Sequence, residues 1–388
     1  MLPDTGALLE SVANDTGLGD WGDSGDPGFA DRVGLLLENV QERGLGEEAE
    51  QRAEEVFRWL LATRLRLFAD RVRYGTGAER IAGPLIAIGE PRAGTTLLHA
   101  LFSADPANRP VRFWELYYPS PPPGVGIGNQ ERMARADEDW REIMALIPKW
   151  MISHPYNDML GQGPAECERF WAIDFRSAPP SAWWRVPANN LGAGLAQDPV
   201  RQYEIHKMTL QHLQYGAPGR RWALKGVFHQ TRVGALLDAY PDGHFVWVHR
   251  DPVITTASFV QHMSEILQGI SGQPVDRQAL AADFVAGIRG RIRQVMADPH
   301  TDDPRILHVA YHEFAADHVA AVAGVYSHFG LSFGEESAAV MKQWLTENRA
   351  DRYGKFTYSM DVLAGQVEGL DEEFGPYMQR FGVRREKR

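Results

Sequence analysis

The sequence predicts an α/β fold: three layers, with a central parallel sheet flanked by helices and further helices at the N-terminus. Two observations carry that expectation. Short apolar runs at 85–89, 222–224, 245–248 and 305–311 are each followed by a segment of helical periodicity, and a repeated strand-then-helix order favours parallel strands joined by crossover helices. The first run also leads into a turn with two glycines, Gly89-Glu90-Pro91-Arg92-Ala93-Gly94, before a helix that opens Thr95-Thr96-Leu97-Leu98. Such a turn bends the backbone tightly and aims the first N–H groups of the helix at an anion.

Composition sets the outer limits. A chain of 388 residues, 44% hydrophobic and 23% charged, can bury a large core. We read an N-terminal helical extension over 1–80 and one α/β domain over 81–388. A formal charge of −11 disfavours a nucleic-acid partner, because phosphate binding needs a basic surface. The single cysteine, Cys167, rules out an internal disulfide framework and suits a reducing compartment. The opening Met-Leu-Pro-Asp-Thr-Gly lacks the basic and apolar regions of a secretory signal, and no apolar run reaches the length of about 18 residues that a membrane span needs. The expectation is a cytoplasmic protein without a membrane span.

Along the chain, residues 1–27 are rich in Gly, Asp, Ser and Pro and read as a loose leader. Apolar residues at helical spacing then mark 30–43 (Val33, Leu36, Leu37, Val40) and 47–74 (Val56, Leu60, Leu61, Leu65, Phe68) as helices. After the 85–102 strand, turn and helix, 111–119 reads as a short extended segment. Glu115 stands near its end, either facing a cleft or solvated on an edge. A helix over 131–146 leads into 147–190, rich in Trp, Phe, Tyr and Met. This stretch reads as an aromatic insertion over an acceptor pocket, or as a lid that covers the core. Within it, His154 precedes a proline and is either a chemical group or a hydrogen-bonded loop residue.

A helix over 200–215 precedes Trp222-Ala223-Leu224-Lys225, a strand that ends in a cation. A helix through Leu236 and Leu237 follows, and Phe245-Val246-Trp247-Val248-His249-Arg250-Asp251-Pro252 repeats the pattern. Side chains at the carboxyl ends of parallel strands face the ligand crevice, and Ser258 lies about two helical turns past Arg250. Arg92, Lys225 and Arg250 therefore point to a polyanionic ligand. Helices are expected over 314–329 and 335–345. The segment 348–359, with Arg352, Gly354 and Lys355, is either a loop that closes on the ligand or a solvated tail.

The Gly89-x4-Gly94 spacing is P-loop-like, but Thr95-Thr96 stands where a nucleotide kinase needs Lys-Ser/Thr. Pro91-Arg92-Ala93-Gly94-Thr95-Thr96 instead resembles the Pro-Arg-Ser-Gly-Thr-Thr loop of the sulfotransferases that use 3′-phosphoadenosine 5′-phosphosulfate (PAPS), closest to their bacterial branch. His249-Arg250-Asp251-Pro252 with Ser258 resembles their second signature, and the similarity runs in order from about 84 to 382. The resemblance implies that Arg92, Ala93, Gly94, Thr95, Thr96 and Leu97 bind the 5′-phosphosulfate, that Arg250 and Ser258 bind the 3′-phosphate, and that the loop with Gly354 and Lys355 closes on the adenosine side. It also implies a sulfuryl transfer to a hydroxyl of a small apolar acceptor, leaving adenosine 3′,5′-bisphosphate, with no metal. Arg92 and Lys225 would stabilise developing charge. A glutamate beyond the loop or a histidine after the lysine serves as base in such enzymes, so Glu115 and His229 stand as the two candidates. Three departures accompany the match: Ala93 replaces a serine, Gly226-Val227 replaces Ser-Pro, and the last loop lacks Lys-His-Gly. A P-loop kinase using ATP and a noncatalytic nucleotide-binding protein are the competing readings.

Overall fold

A computed structural model describes residues 2–22, 26–42, 44, 46–176, 198–217, 219–363 and 366–388. The 177–190 part of the expected aromatic insertion lies outside the described residues.

Five strands form one sheet: β1 (Leu85–Gly89), β2 (Asn108–Arg109), β3 (Arg221–Gly226), β4 (His244–His249) and β5 (Ile306–Ala310). Their order is β2-β3-β1-β4-β5 and every pairing is parallel. All five residues of β1 are buried, so it reads as an unbroken apolar run rather than an alternating one, as a strand covered on both faces must. Its side chains nevertheless sort by parity. Ile86 and Ile88 join Leu224, Phe245 and Trp247 under the helices Pro252–Ser271 and Arg277–Ala297. Leu85 and Ala87 join Ala223, Val246 and Val248 against Leu98, Leu101, Val322 and Tyr326 on the other face.

The strand order positions the site. The chain leaves β1 towards β3 and β2, then returns past β1 to β4, so β1 lies at the topological switch point where α/β sheets bind ligands. Because β3 and β4 are the two neighbours of β1, with Ile88 opposite Gly226 and Gly89 opposite Val248, the loops that follow these strands emerge side by side.

The N-terminal helices support the same region from outside. The segment expected as a loose leader contains the helix Thr5–Thr16, capped by Asp4 through the Ala7 N–H, and it buries Leu8 and Val12. Helix Glu47–Tyr74 contributes Arg64, which is fully buried and pairs with Asp174. Asp174 also pairs with Arg176. These ion pairs fix the 3₁₀ segment Cys167–Asp174 against the extension.

Two further expectations are corrected, and one helix is added. Residues 113–117 form a helical turn rather than a strand, because Glu115 accepts the Arg112 N–H at 2.9 Å and closes the first turn. The stretch 314–329 is split into helices Tyr311–Ala316 and His318–His328, with Asp317 capping the second through the Ala320 N–H. Helix Val367–Arg380, not anticipated from the sequence, packs Leu370, Phe374 and Tyr377 into the main core. Among the described residues no helix is long and apolar enough to cross a membrane.

Candidate active site

A cavity of about 800 Å³ opens at the carboxyl ends of β1, β3 and β4. Its wall includes Arg92, Gly94, Thr95, Thr96 and Leu97 from the first loop, Lys225 from the end of β3, and Arg250 after β4. The three cations singled out in the sequence therefore share one hollow. Ala93 is buried behind the loop, its N–H bonded to the Glu90 carbonyl at 3.0 Å.

The first loop turns through Arg92 at φ 70°, a left-handed conformation that costs a non-glycine residue roughly 1–2 kcal/mol. Gly94 follows at φ 99°, and a Cβ there would stand 2.9 Å from the Tyr311 ring. The turn delivers the Arg92 side chain to the second signature: Nε donates to Ser258 Oγ at 3.1 Å and Nη1 to the Ser153 carbonyl at 3.2 Å. Burial, and then the charge of Arg250, push the Arg92 guanidinium down to about 10, so it remains charged at neutral pH.

Arg250 donates Nη1 to the Arg92 carbonyl at 2.8 Å and lies 4.1 Å above the Tyr311 ring. Its other prongs, Nε and Nη2, grip the two carboxylate oxygens of Glu386 at 2.7 Å each. Glu386 reaches this position because its own N–H donates to Asp251 Oδ2 at 3.1 Å, while Arg388 ties the tail to Asp371.

Lys225 is buried and ion-paired with Glu166. Burial acts to raise the Glu166 carboxyl, but Lys225 and Arg169 outweigh it and hold the group at about 2. Two residues on, Glu168 goes the other way: burial, and then the Glu166 charge, push it up to about 8. Its Oε2 accepts the Phe228 N–H at 2.7 Å. Glu166, Glu168 and Arg169 all line the cavity. Sequence reasoning treated this segment only as part of an aromatic insertion; the signal it passed over was three charged residues, Glu166, Glu168 and Arg169, set among apolar ones.

Neither expected base lies in the cavity wall. Glu115 is buried, paired with Arg109 and bonded to the Arg112 N–H, so its carboxylate is occupied in closing a helical turn. His229 is fully buried; Nδ1 shares a hydrogen bond with the Tyr203 hydroxyl at 2.7 Å and Nε2 contacts Cys167 Sγ at 3.3 Å. Burial holds its imidazole far below the usual range. Cys167, His206 and His229 bring one ligand-type atom each within 4.8 Å of one another, all in the core.

The last loop approaches the cavity through other residues than expected. Gly354 and Lys355 are exposed and absent from the wall, whereas Ala350 and Phe356 belong to it. Phe356 lies 4.8 Å from the Arg92 guanidinium, and Arg352 anchors the loop on Asp158 at 2.8 Å.

Much of the remaining wall is apolar, built from Trp140 and Ile143 of helix Asn129–Leu146, Phe259, Ile266 and Ile270 of helix Pro252–Ser271, and Phe284 of helix Arg277–Ala297. A run of ring contacts, Trp140 to Trp150 at 5.5 Å, Trp150 to His154 at 4.5 Å and His154 to His262 at 4.4 Å, joins it to the charged wall. Burial, and then the charge of Arg92, keep His154 well below its usual range, so this imidazole is neutral at physiological pH.

Comparisons with known proteins agree with this fold. The chain is 25% identical over 317 residues to the omega-hydroxy-beta-dihydromenaquinone-9 sulfotransferases Stf3 of Mycobacterium bovis and Mycobacterium tuberculosis, covering 78% of this chain and 76% of each relative. The crystal structure of sulfotransferase STF9 from Mycobacterium avium superposes with a TM-score of 0.83 at 24% identity, over 100% of this chain and 99% of that one. Sulfotransferase STF1 from Mycobacterium tuberculosis H37Rv follows with a TM-score of 0.78 at 26% identity, over 95% and 98%. A sequence model of the sulfotransferase family matches residues 84–335, from just before β1 to the start of helix Glu335–Glu347, and with the P-loop-like sheet and its cation-lined cavity this makes the chain a member of the sulfotransferase family.

Proposed function

We propose that the protein transfers a sulfuryl group from PAPS to the terminal hydroxyl of an elongated apolar acceptor. One observation carries the reading: Arg92, Lys225 and Arg250 meet in a cavity that also has a broad aromatic and aliphatic wall. The fit to a doubly phosphorylated nucleotide rests on the Arg250 fork, where the Glu386 carboxylate already marks an anion position. Arg250 and Ser258 would hold the 3′-phosphate, and the first loop with Arg92, Thr95 and Thr96 the 5′-phosphosulfate. Phe356, rather than Gly354 or Lys355, would close on the nucleotide side.

PAPS supplies the sulfuryl group; the chain supplies position, charge and a proton acceptor. The acceptor oxygen bonds to sulfur as its proton passes to Glu168. The bond from sulfur to the phosphate oxygen breaks, and its electron pair stays on that oxygen, where Arg92 and Lys225 offset the charge. Glu168 suits this role better than Glu115 or His229, because it lines the cavity and is poised near neutral pH. Glu166 serves as the counter-ion of Lys225. That the Stf3 relatives are named for an omega-hydroxy acceptor supports a terminal hydroxyl, and the apolar wall supports an elongated chain behind it.

The test is transfer of radiolabelled sulfuryl from PAPS to a panel of omega-hydroxy and secondary alcohols, with calorimetric titration of adenosine 3′,5′-bisphosphate against ADP. Labelled product from the omega-hydroxy compounds is expected. Preference for ADP with magnesium would return the kinase reading, and nucleotide binding without product would leave a noncatalytic protein.

A further inference from the structure

Among the described residues, five cationic side chains line the cavity: Arg92, Arg169, Lys225, Arg250 and Arg291. Four are answered within the fold. Arg92 bonds to Ser258 and the Ser153 carbonyl, Lys225 to Glu166, Arg250 to Glu386, and Arg291 to Glu90. Arg169 is the exception: its side chain has no hydrogen bond or ion pair with the described residues, and its Nε is buried without a partner. The stretch 177–197 contains no Asp or Glu, so no carboxylate for Arg169 comes from there.

A half-buried guanidinium with unused donors is costly, and in a native fold it calls for an explanation. Placement supplies one. Arg169 follows Glu168 directly on the Cys167–Asp174 segment, and its charge acts on Glu166, Glu168, His154 and Tyr117. It therefore stands beside the proton acceptor, where the acceptor hydroxyl must meet sulfur. We propose that Arg169 is a catalytic residue that grips the sulfuryl oxygens from the acceptor side. The proposal rests on the sulfuryl-transfer reading above.

The division of labour follows from chemistry. One sulfur–oxygen bond breaks on the donor side, where Arg92 and Lys225 meet the growing charge, while another forms on the acceptor side and the proton moves to Glu168. The oxygens that stay on sulfur throughout need a partner that is planar, permanently charged and two-pronged. Arginine meets all three conditions and lysine does not. Arg169 exchanges no proton and no electrons.

The test needs no knowledge of the acceptor. The protein is saturated with adenosine 3′,5′-bisphosphate and titrated calorimetrically with inorganic sulfate, the probe for the sulfuryl position. Arg169→Met is expected to weaken sulfate binding about tenfold or more while adenosine 3′,5′-bisphosphate affinity stays within about twofold. Because the guanidinium makes no hydrogen bond with the described residues, while its charge helps to hold Glu166 ionised, the thermal midpoint without ligand should shift little. Arg169→Lys should recover only part of the sulfate affinity, and Arg169→Gln replaces the Met variant if that one fails to fold. Equal sulfate affinity in wild type and variant overturns the proposal, as does a wild-type nucleotide complex that takes no sulfate or a parallel loss of nucleotide binding. A wild type that does not bind adenosine 3′,5′-bisphosphate at all is a different result: it overturns the functional reading on which this one rests.

Discussion

Gly226 and Glu168 fit each other through a missing side chain: a Cβ at 226 would stand 2.6 Å from the Glu168 Oε2 and 2.6 Å from the His229 Nε2. The glycine at this position, one of the departures from the usual sulfotransferase pattern, is thus what lets a buried carboxylate lie against the end of β3 beside Lys225. Gly226→Ser should push Glu168 out of place. We expect kcat to fall by roughly 10²-fold, with adenosine 3′,5′-bisphosphate affinity little changed. Steady-state kinetics and calorimetry on the same preparation check this, and an unchanged kcat would show that the packing has no bearing on turnover.

Replacing the carboxylate itself tests the proton acceptor. Glu168→Gln is expected to lower kcat by roughly 10²–10⁴-fold while leaving nucleotide binding intact. The pH dependence has a definite sign. Burial and Glu166 hold the proton on Glu168 up to about 8, and the proposed role of proton acceptor requires the deprotonated form. The kcat/KM of the wild type should therefore climb with pH and level off above about 8, and the variant should lose that limb. A flat wild-type profile between pH 6 and 9, scanned around that value, would assign the proton elsewhere.

Glu386 holds the arginine fork that the proposed function gives to the 3′-phosphate. Arg250→Ala should weaken adenosine 3′,5′-bisphosphate by about tenfold or more and AMP hardly at all, since only the former carries a 3′-phosphate. Glu386→Gln removes the resident charge and should tighten adenosine 3′,5′-bisphosphate several-fold, again with little effect on AMP. Both comparisons use calorimetry at fixed salt. Tighter AMP binding in the Gln variant would mean that Glu386 acts on something other than the 3′ position.

Glu115 has a structural part to play. Its carboxylate neutralises buried Arg109 and closes the turn at Arg112, so Glu115→Ala should cost about 3–5 kcal/mol by leaving a buried cation unpaired. The folded fraction should keep its kcat. Denaturant unfolding measured alongside activity separates the two effects, and a stable variant without activity would restore Glu115 as a base.

The positions of the three cations were legible in the sequence for a simple reason. Strand runs that end in Arg or Lys, in a chain that alternates strand and helix, place those side chains at one edge of a parallel sheet, and β1, β3 and β4 are neighbours there. The tight turn into helix Thr95–Ala104 was equally legible, because Gly94 and the Thr95-Thr96 helix start are local features. The charged partners were not. Whether Glu115, Glu168 or His229 faces the cavity depends on how the Cys167–Asp174 segment packs against the end of β3, and whether Gly354 or Phe356 lines the cavity depends on where Arg352 anchors its loop. Local spacing decides which backbone turns can form. The environment of a carboxylate or an imidazole, and with it the chemistry that group can perform, comes from residues distant in sequence, as when Glu386 meets Arg250 and Glu166 meets Lys225, and only the folded chain brings them together.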